Sequence, residues 1–283
     1  MSAGTVRALL SAHGLRAHRD LGQNFLIDDS VAARLVELSD VGARDWVIEI
    51  GTGLGALTRA LAARAARVVT LEIDSGLVRA LRAECDLPSN VELIHGDALV
   101  LDLAALVSEA PGPVRLVANL PYSVSTPLLR RLLDLRYRLE SWSVMLQSEV
   151  ARRLLAETGT SDYGSLAVLH RLTVSISTEM ELSPNCFFPA PNVDSTFVRL
   201  SPLRESSLQA GELEHVERIV RAAFSKRRKT LVNSLRSGGL GESVTAEGIR
   251  ELLFELSIDP RVRAERVEPE QHLALARALA SGR

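Results

Sequence analysis

The chain has 283 residues, of which 46% are hydrophobic, and its formal net charge at pH 7 is −2. This length accommodates one large domain and one smaller domain, and the charge argues against a protein that is basic over its whole surface. Two cysteines, and six histidines without the spacing of ligands, exclude a disulfide framework and a thiolate metal cluster, so we expect no metal site.

No apolar run of the sequence approaches the roughly 20 residues that a membrane-spanning helix needs. The first recognisable motif begins near Arg19, which leaves little sequence for a cleavable leader. We therefore expect a cytoplasmic protein with no membrane partner.

The first two thirds of the chain alternate short apolar runs with helical stretches. The predicted strands of this region are Val47–Ile50, Val68–Ile73, Val91–His95, Leu116–Ala118 and Val144–Gln147. Leucines at helical spacing follow the first of them, so the series predicts βαβ units and a parallel sheet covered by helices. Two later strands, Val174–Leu182 and Thr196–Leu200, follow one another across a proline-rich stretch, as an antiparallel pair does.

The pattern changes at Ser201-Pro202, beyond which it is helical only. Apolar residues at helical spacing mark one helix face between Leu213 and Phe224 and another between Ile249 and Leu256. We therefore expect an α/β domain at 1–202 and a small all-helical domain at 203–283.

A glycine turn, Gly51-Thr52-Gly53-Leu54-Gly55-Ala56, joins the first predicted strand to a helix. Glycines let the backbone approach a ligand closely, and the helix N-terminus presents free N–H groups. Glu72 ends the next strand, 21 residues after Gly51, where an acid can bind both hydroxyls of a ribose. The same turn satisfies the dinucleotide pattern G-x-G-x-x-A, so by itself it leaves a nicotinamide-dependent oxidoreductase open.

A second acid, Asp97, stands at the end of the third predicted strand. One acid for a ribose and one for an adenine amine fit S-adenosylmethionine better than a dinucleotide. Asn119 ends the fourth strand. Because ligands bind outside the carboxyl ends of parallel strands, we expect Gly51, Glu72, Asp97 and Asn119 to share one rim of the sheet.

Asn119 begins a proline-stiffened turn, Asn119-Leu120-Pro121-Tyr122. The side-chain oxygen of Asn119 and the main-chain carbonyl of Leu120 or Pro121 can accept the two hydrogens of an exocyclic amine. Proline has a fixed φ and helps to hold the turn, while the Tyr122 ring can stack on a planar base. This set of groups predicts a pocket for an aminated ring.

The only two lysines of the chain lie in the run Lys226-Arg227-Arg228-Lys229. A charge run is usually a solvated helix face. Together with Arg16, His18 and Arg19 near the other end of the chain, this run predicts a clamp for the phosphates of an RNA helix.

Taken together, these segments resemble the ribosomal RNA adenine N6,N6-dimethyltransferases, most closely the bacterial 16S enzymes. The resemblance is carried by residues 21–26, 49–58, 96–99, 119–122, 125–129, 187–195 and 224–235. The chain departs from the family's usual pattern at Leu21, Thr52 and Ser123, where Phe, Pro and Asn are common. None of these departures removes a group that we assign to chemistry.

The resemblance implies a Rossmann-like class I methyltransferase sheet, mostly parallel with an antiparallel strand at the end, and a helical C-terminal RNA-binding domain. It implies that Asn24 and Leu26 line the S-adenosylmethionine site beside Gly51, Glu72, Asp97 and Asn119. The implied substrate is a pair of adjacent adenosines in a hairpin near the 3′ end of 16S rRNA, within the small ribosomal subunit or its precursor. Each adenosine receives two methyl groups, and we expect the enzyme to be a monomer.

For the reaction, we expect Tyr122 and Phe187 to sandwich an adenine that has left its stack. The sulfonium is a strong electrophile, so no catalytic histidine or carboxylate base is required. Two alternatives within this resemblance stay open: a large-subunit rRNA methylase of the antibiotic-resistance type, and an assembly factor that acts mainly by occupying the subunit. Asp97 and the turn after Asn119 argue against the oxidoreductase.

Overall fold

The computed structural model describes residues 2–18, 22–84, 87–209, 211–240 and 245–280. The chain divides into two compact units. The α/β unit comprises Met1–Ala151 and Ile176–Pro202, and the helical unit comprises Arg152–Ser175 and Leu203–Arg283. The sequence predicts a single break between 202 and 203. The observed division has that break, but it also assigns 152–175 to the helical unit, because the helix of this segment packs against the helices that follow 203.

The part of the chain that the structure describes contains nine strands. They are β1 (Phe25–Leu26), β2 (Trp46–Ile50), β3 (Arg67–Glu72), β4 (Val91–His95), β5 (Val114–Asn119), β6 (Ser141–Gln147), β7 (Val174–Leu182), β8 (Phe187–Phe188) and β9 (Ser195–Pro202). Seven of them form one sheet in the order β4-β3-β2-β5-β6-β9-β7. Strands β2 to β6 pair in parallel, and β9 is antiparallel to β6. The predicted α/β sheet, mostly parallel with an antiparallel strand at its end, is thereby confirmed.

The described residues also form twelve α-helices. They are α1 (Ala3–Ala12), α2 (Asp29–Leu38), α3 (Ala56–Ala62), α4 (Ser75–Glu84), α5 (Leu103–Ser108), α6 (Ser125–Asp134), α7 (Ser148–Leu155), α8 (Ser165–Arg171), α9 (Leu213–Ala223), α10 (Leu231–Ser237), α11 (Ala246–Glu255) and α12 (Pro269–Ala280). Several begin at a side chain that caps free N–H groups, as Asp28 does for α2 and Thr230 for α10. Within the described ranges, no helix is both long and apolar enough to cross a bilayer.

The central strands are apolar along most of their length because helices cover the sheet. Leu116 of β5 and Trp142 of β6 are almost completely buried. Parallel pairing aligns the strands so that Ile50, Glu72, His95 and Asn119 all lie where a strand ends. The polar groups that follow these strands therefore reach the same rim.

A second, two-stranded sheet is not predicted by the sequence pattern. Strands β1 and β8 pair antiparallel, with Phe25 opposite Phe188 and Leu26 opposite Phe187. Two residues are too short to display the alternation from which a strand is predicted. This pairing ties the N-terminal segment to the stretch that precedes β9.

Candidate active site

A cavity of about 300 Å³ opens at the carboxyl ends of the parallel strands of the α/β unit. Most of its lining comes from five stretches of the chain: residues 22–26, the glycine turn and start of α3, residues 71–73, residues 96–99 and residues 119–124, and Leu77 and Leu128 also contribute. The residues predicted to bind the cofactor all line it: Asn24, Leu26, Gly51, Glu72, Asp97 and Asn119. Leu120, Pro121 and Tyr122 line it too. The structure thus brings nine of the predicted residues to one cavity.

The glycine turn forms a cradle that side chains would fill. Gly53 has a φ of +55°, and a Cβ at this position would lie 3.1 Å from the ring of Phe25. A larger residue would be strained and would press on the N-terminal segment. The turn leads directly into α3, whose first N–H groups have no partner within the helix. This surface fits a cofactor that the backbone approaches closely.

Glu72 presents a buried carboxylate at the end of β3. One oxygen, Oε2, accepts the N–H of Gly53 at 2.8 Å, and the other, Oε1, accepts the N–H of Asp74 at 2.9 Å. Burial raises the pKa of this carboxyl, and the two backbone N–H groups oppose that effect. Each oxygen keeps a second lone pair, so the group can accept two hydroxyls of a ribose as well.

Asp97 lies in the loop after β4, with Oδ1 accepting the N–H of Leu99 at 2.8 Å. Arg131 of α6 holds this loop by donating to the carbonyl of Ala98 at 2.6 Å and to the carbonyl of Leu101. The sequence pattern does not predict this role of Arg131, because nothing local marks it as a partner of a loop some 30 residues earlier.

Ile73 is a second cavity residue that the sequence pattern does not predict. It lines the cavity directly after Glu72 and is 47% exposed, unlike most large apolar side chains of the chain. An apolar side chain beside the carboxylate that we expect to bind a ribose is suited to the flat face of an adenine. Its position immediately after a strand-ending acid is the signal that could have identified it.

The amide of Asn119 is oriented by the N-terminal segment. Its Nδ2 donates to the main-chain carbonyl of Asn24 at 3.0 Å, which leaves Oδ1 as an acceptor. Two residues on, the carbonyl of Pro121 accepts the N–H of Val124 at 3.1 Å and the hydroxyl of Ser125 at 3.2 Å. Of the two carbonyls considered for an incoming amine, that of Pro121 is therefore already used within the turn.

Tyr122 is held through its hydroxyl as well as its ring. The hydroxyl lies 2.7 Å from Oγ of Ser195, the first residue of β9. Burial raises the pKa of the phenol, and the bond to Ser195 opposes that effect. The residue is partly buried and lines the cavity.

Phe187 is the exception among the predicted catalytic residues. It is only 3% exposed and belongs to the apolar core formed with Leu26, Val47 and Phe197. It pairs opposite Leu26 in the β1–β8 sheet, and it is not among the residues that line the cavity. In this structure the ring packs in the core with Leu26, so the expected sandwich with Tyr122 is not seen at this cavity.

Beneath the glycine turn lies a buried polar network that was not predicted. Oε2 of Glu49 accepts the hydroxyls of Thr58 and Thr70, each at 2.6 Å, and Thr70 in turn lies 2.7 Å from the hydroxyl of Thr52. Burial raises the pKa of Glu49 to about 8, although the two threonine hydroxyls lower it. The network links β2, β3, α3 and the turn.

The basic run Lys226–Lys229 lies in the turn between α9 and α10, not on a helix face, and all four side chains are exposed. The guanidinium of Arg227 donates to the carbonyl of Ser161 in the same unit at 2.5 Å. Of the phosphate contacts predicted near the other end of the chain, Arg16 and His18 are exposed, and Arg19 lies outside the described residues. In the described part of the chain no three His, Cys, Asp or Glu side chains group as metal ligands.

Comparison with known proteins gives the same picture over almost the whole length. Residues 14–281 match the ribosomal RNA adenine dimethylase family. A Geobacter metallireducens protein named ribosomal RNA small subunit methyltransferase A is 41% identical over 271 residues, covering 95% of this chain and 98% of that protein.

Two solved structures share the fold. A Plasmodium falciparum dimethyladenosine transferase is 25% identical, with a TM-score of 0.76 over 91% of this chain and 98% of its own. The 23S rRNA methyltransferase ErmE is 28% identical, with a TM-score of 0.64 over 91% of this chain and 100% of its own.

Proposed function

The chain belongs to the ribosomal RNA adenine dimethylase family, whose members take methyl groups from S-adenosylmethionine, and from this premise we propose its substrate and the roles of its residues. The substrate is a pair of adjacent adenosines in a hairpin near the 3′ end of 16S rRNA, in the small ribosomal subunit or its precursor. Each adenosine receives two methyl groups at N6. The protein acts as a monomer in the cytoplasm. The single observation that carries this proposal is the cavity where Glu72, Asp97 and Asn119 meet.

The cofactor is held by groups from three strand ends and from the N-terminal segment. Glu72 accepts the ribose hydroxyls with the lone pairs that its backbone contacts leave. Asp97 accepts the adenine amine, and Ile73 packs on the adenine face. The cofactor supplies an electrophilic methyl group on a sulfonium. The glycine turn and Asn24 line the rest of the site.

The protein's own task is to make N6 of adenine a better nucleophile, because its lone pair is delocalised into the ring. We assign one acceptor to Oδ1 of Asn119 and the second to the main-chain carbonyl of Leu120, since that of Pro121 already accepts two bonds. As N6 becomes tetrahedral its positive charge rises and both bonds strengthen. Alignment and such a preorganised polar cradle together lower a barrier by several kcal/mol. The surplus proton leaves to water after transfer.

The target base stacks on the ring of Tyr122. Stacking of a base on an aromatic ring contributes about 1–3 kcal/mol, which offsets the cost of taking the nucleotide out of its stack. Because Phe187 is buried, we assign the stacking to Tyr122 alone and give Phe187 the role of packing behind Leu26.

RNA binding is assigned to the helical unit, through the exposed turn Lys226–Lys229. The chain as a whole carries a net charge of −2, so this local concentration of positive charge favours docking on a structured RNA and not general binding to nucleic acid.

A second candidate is methylation of large-subunit rRNA, because the likeness to ErmE extends over 91% of this chain. To decide, we would incubate the protein with methyl-labelled S-adenosylmethionine and either precursor small subunits or protein-free large-subunit rRNA, and map the modified bases. The proposal expects two adjacent dimethyladenosines near the 3′ end of 16S rRNA. Label found only in large-subunit rRNA would replace it with the second candidate. Tight binding to small subunits without any label would indicate an assembly factor.

A further inference from the structure

The N-terminal segment, residues 22–26, passes across the cofactor cavity and forms one of its walls. It is packed tightly against the turn that follows β5: a Cβ placed on Gly22, whose φ is +65°, would lie 3.2 Å from the main-chain nitrogen of Tyr122. Helix α1 lies over the same region, with Val6 and Leu10 in an apolar cluster with Phe25 and Leu77. The segment therefore contacts both the cofactor wall and the base-binding turn.

Gln23 attaches this segment to the loop between β3 and α4. Its side-chain Nε2 donates to Oδ2 of Asp74 at 3.0 Å, across a separation of 51 residues, and its Oε1 accepts the N–H of His18 at 2.8 Å. Both ends of the amide are therefore used. Gln23 lines the cavity, but nothing in the local sequence pattern indicates this pairing.

Asp74 is a rigid partner. Its other oxygen, Oδ1, accepts the N–H groups of Gly76 at 2.8 Å and Leu77 at 3.2 Å, and so caps α4. Its own N–H donates to Glu72, the carboxylate proposed to hold the ribose. The segment is thus attached next to the cofactor's ribose site.

The next residue transmits this attachment to the reaction centre. The carbonyl of Asn24 accepts Nδ2 of Asn119 at 3.0 Å, while the side chain of Asn24 donates to the carbonyl of Gly22 at 3.1 Å and closes a local turn. A shift of the segment moves the carbonyl that orients the Asn119 amide. The amide would then be free to rotate and present its NH₂ group, a donor, to the incoming amine.

We propose that Gln23 is a positioning residue for methyl transfer: its bond to Asp74 holds the Asn24 carbonyl where it turns Oδ1 of Asn119 toward the target amine. This inference rests on the role proposed for Asn119. Two features of the site then depend on one hydrogen bond: the closed wall of the cofactor cavity and the orientation of Oδ1 of Asn119. Loss of the bond therefore lowers cofactor affinity and also the transfer rate at saturating cofactor.

The test uses a polarity swap in the full-length protein. Gln23→Met keeps the length of the side chain and removes the bond without changing charge, whereas Gln23→Glu sets two carboxylates against each other. Asp74→Asn in the Gln23→Glu background restores a donor and an acceptor in reversed order, and the asparagine oxygen can still cap α4. Gln209→Met, at an exposed glutamine of the helical unit, is the matched control.

Three measurements are made on each variant: S-adenosylhomocysteine affinity by calorimetry, amide hydrogen exchange of residues 22–26 without cofactor, and single-turnover transfer at saturating cofactor. In both Gln23 single variants the amide hydrogens of residues 22–26 should exchange faster. Methyl transfer should be slower by about tenfold or more, which is the effect of losing one hydrogen bond to a charged group. The double variant should return to within about threefold of the parent. Gln209→Met should behave as the parent does.

Several outcomes would overturn the proposal. A Gln23→Met variant with parental exchange, affinity and transfer would show that the bond positions nothing. Faster exchange with an unchanged transfer rate would remove the link to Asn119. A double variant no better than Gln23→Glu would mean that the pair does not act through its bond. Failure of the Asn119 assignment is separate: it appears as an active Asn119→Ala enzyme, whatever the Gln23 variants do.

Discussion

The hydroxyl of Tyr122 lies 2.7 Å from Oγ of Ser195, joining the turn after β5 to the first residue of β9 across 73 residues of sequence. Ser195 is completely buried, so its hydroxyl has no solvent to turn to if Tyr122 is changed. The bond sets the tilt of a ring that we propose to stack on the target base. The two roles of Tyr122, a structural bond and a stacking surface, can be separated by substitution.

Tyr122→Phe should keep most of the transfer activity, because stacking needs the ring and not the hydroxyl. It should lower the free energy of unfolding by about 1–3 kcal/mol, because the buried hydroxyl of Ser195 loses this partner. Tyr122→Ala should lose most of the activity, because stacking contributes about 1–3 kcal/mol. Single-turnover rates and denaturant unfolding would measure both effects. Ser195→Ala is the control for stability, and a Phe variant as inactive as the Ala variant would refute the stacking role.

Asn119→Ala should abolish methyl transfer while the protein stays folded, since the variant loses the acceptor that we assign to the amine. Its affinity for S-adenosylhomocysteine should fall only modestly, because Glu72 and Asp97 are unchanged. Calorimetry and single-turnover assays on the same preparation would separate the two effects. A variant that still transfers methyl groups at a rate near the parent's contradicts the mechanism.

Glu72→Ala should weaken cofactor binding by tenfold or more, because hydrogen bonds to a charged group contribute about 1.5–3 kcal/mol each. It also removes the acceptor of the Gly53 and Asp74 N–H groups. Glu72→Gln is the matched variant, since it keeps one acceptor oxygen and should bind with intermediate affinity. Titration calorimetry with S-adenosylmethionine would measure both, and tight binding of NAD to the parent would sink the cofactor assignment.

Glu49 should make the stability of the protein depend on pH. Its pKa is raised from 4.5 to about 8 by burial, so between these values the folded carboxyl keeps a proton that the unfolded one has lost. The contribution of this proton to the free energy of unfolding is complete below pH 4.5. It falls by roughly 1 kcal/mol for each pH unit up to about 8 and then levels off.

In Glu49→Gln the carboxamide oxygen can accept from Thr58 and Thr70 at any pH. The decrease of the unfolding free energy with pH that Glu49 causes should therefore disappear in this variant. The difference between the unfolding curves of parent and variant, measured by denaturant from pH 4.5 to 8.5, isolates the contribution of Glu49. Parallel curves would mean that Glu49 titrates normally in the folded protein.

Reversing the charge of Arg228 should weaken binding to small-subunit RNA without changing cofactor affinity, because the cofactor cavity is built from the α/β unit alone. Arg228 is the better position to test than Arg227, since the latter also donates to the carbonyl of Ser161. Filter binding across a salt series should show a weaker salt dependence for Arg228→Glu. Arg34→Glu on α2, with the same charge change, is the control. Equal RNA binding by both variants would show that the basic turn has no role in RNA binding.

The α/β sheet and the rim of the site follow from local features of the sequence. Strand and helix periods are local properties, and in a parallel sheet every strand carries its last residue to the same edge. Glu72, Asp97 and Asn119 could therefore be assigned to one cavity from their positions after apolar runs. The helical nature of the chain beyond 202 followed from the same kind of local spacing.

How those residues are held depends on contacts between distant parts of the chain. The bonds from Gln23 to Asp74, from Asn119 to Asn24 and from Tyr122 to Ser195 join residues 51, 95 and 73 positions apart. Phe187, which we expected to sandwich the target base with Tyr122, is buried in the apolar core. Its motif does not reveal the strand opposite it, which carries Leu26. Which side chain meets which across such distances depends on strand pairing and packing, and no local period encodes either.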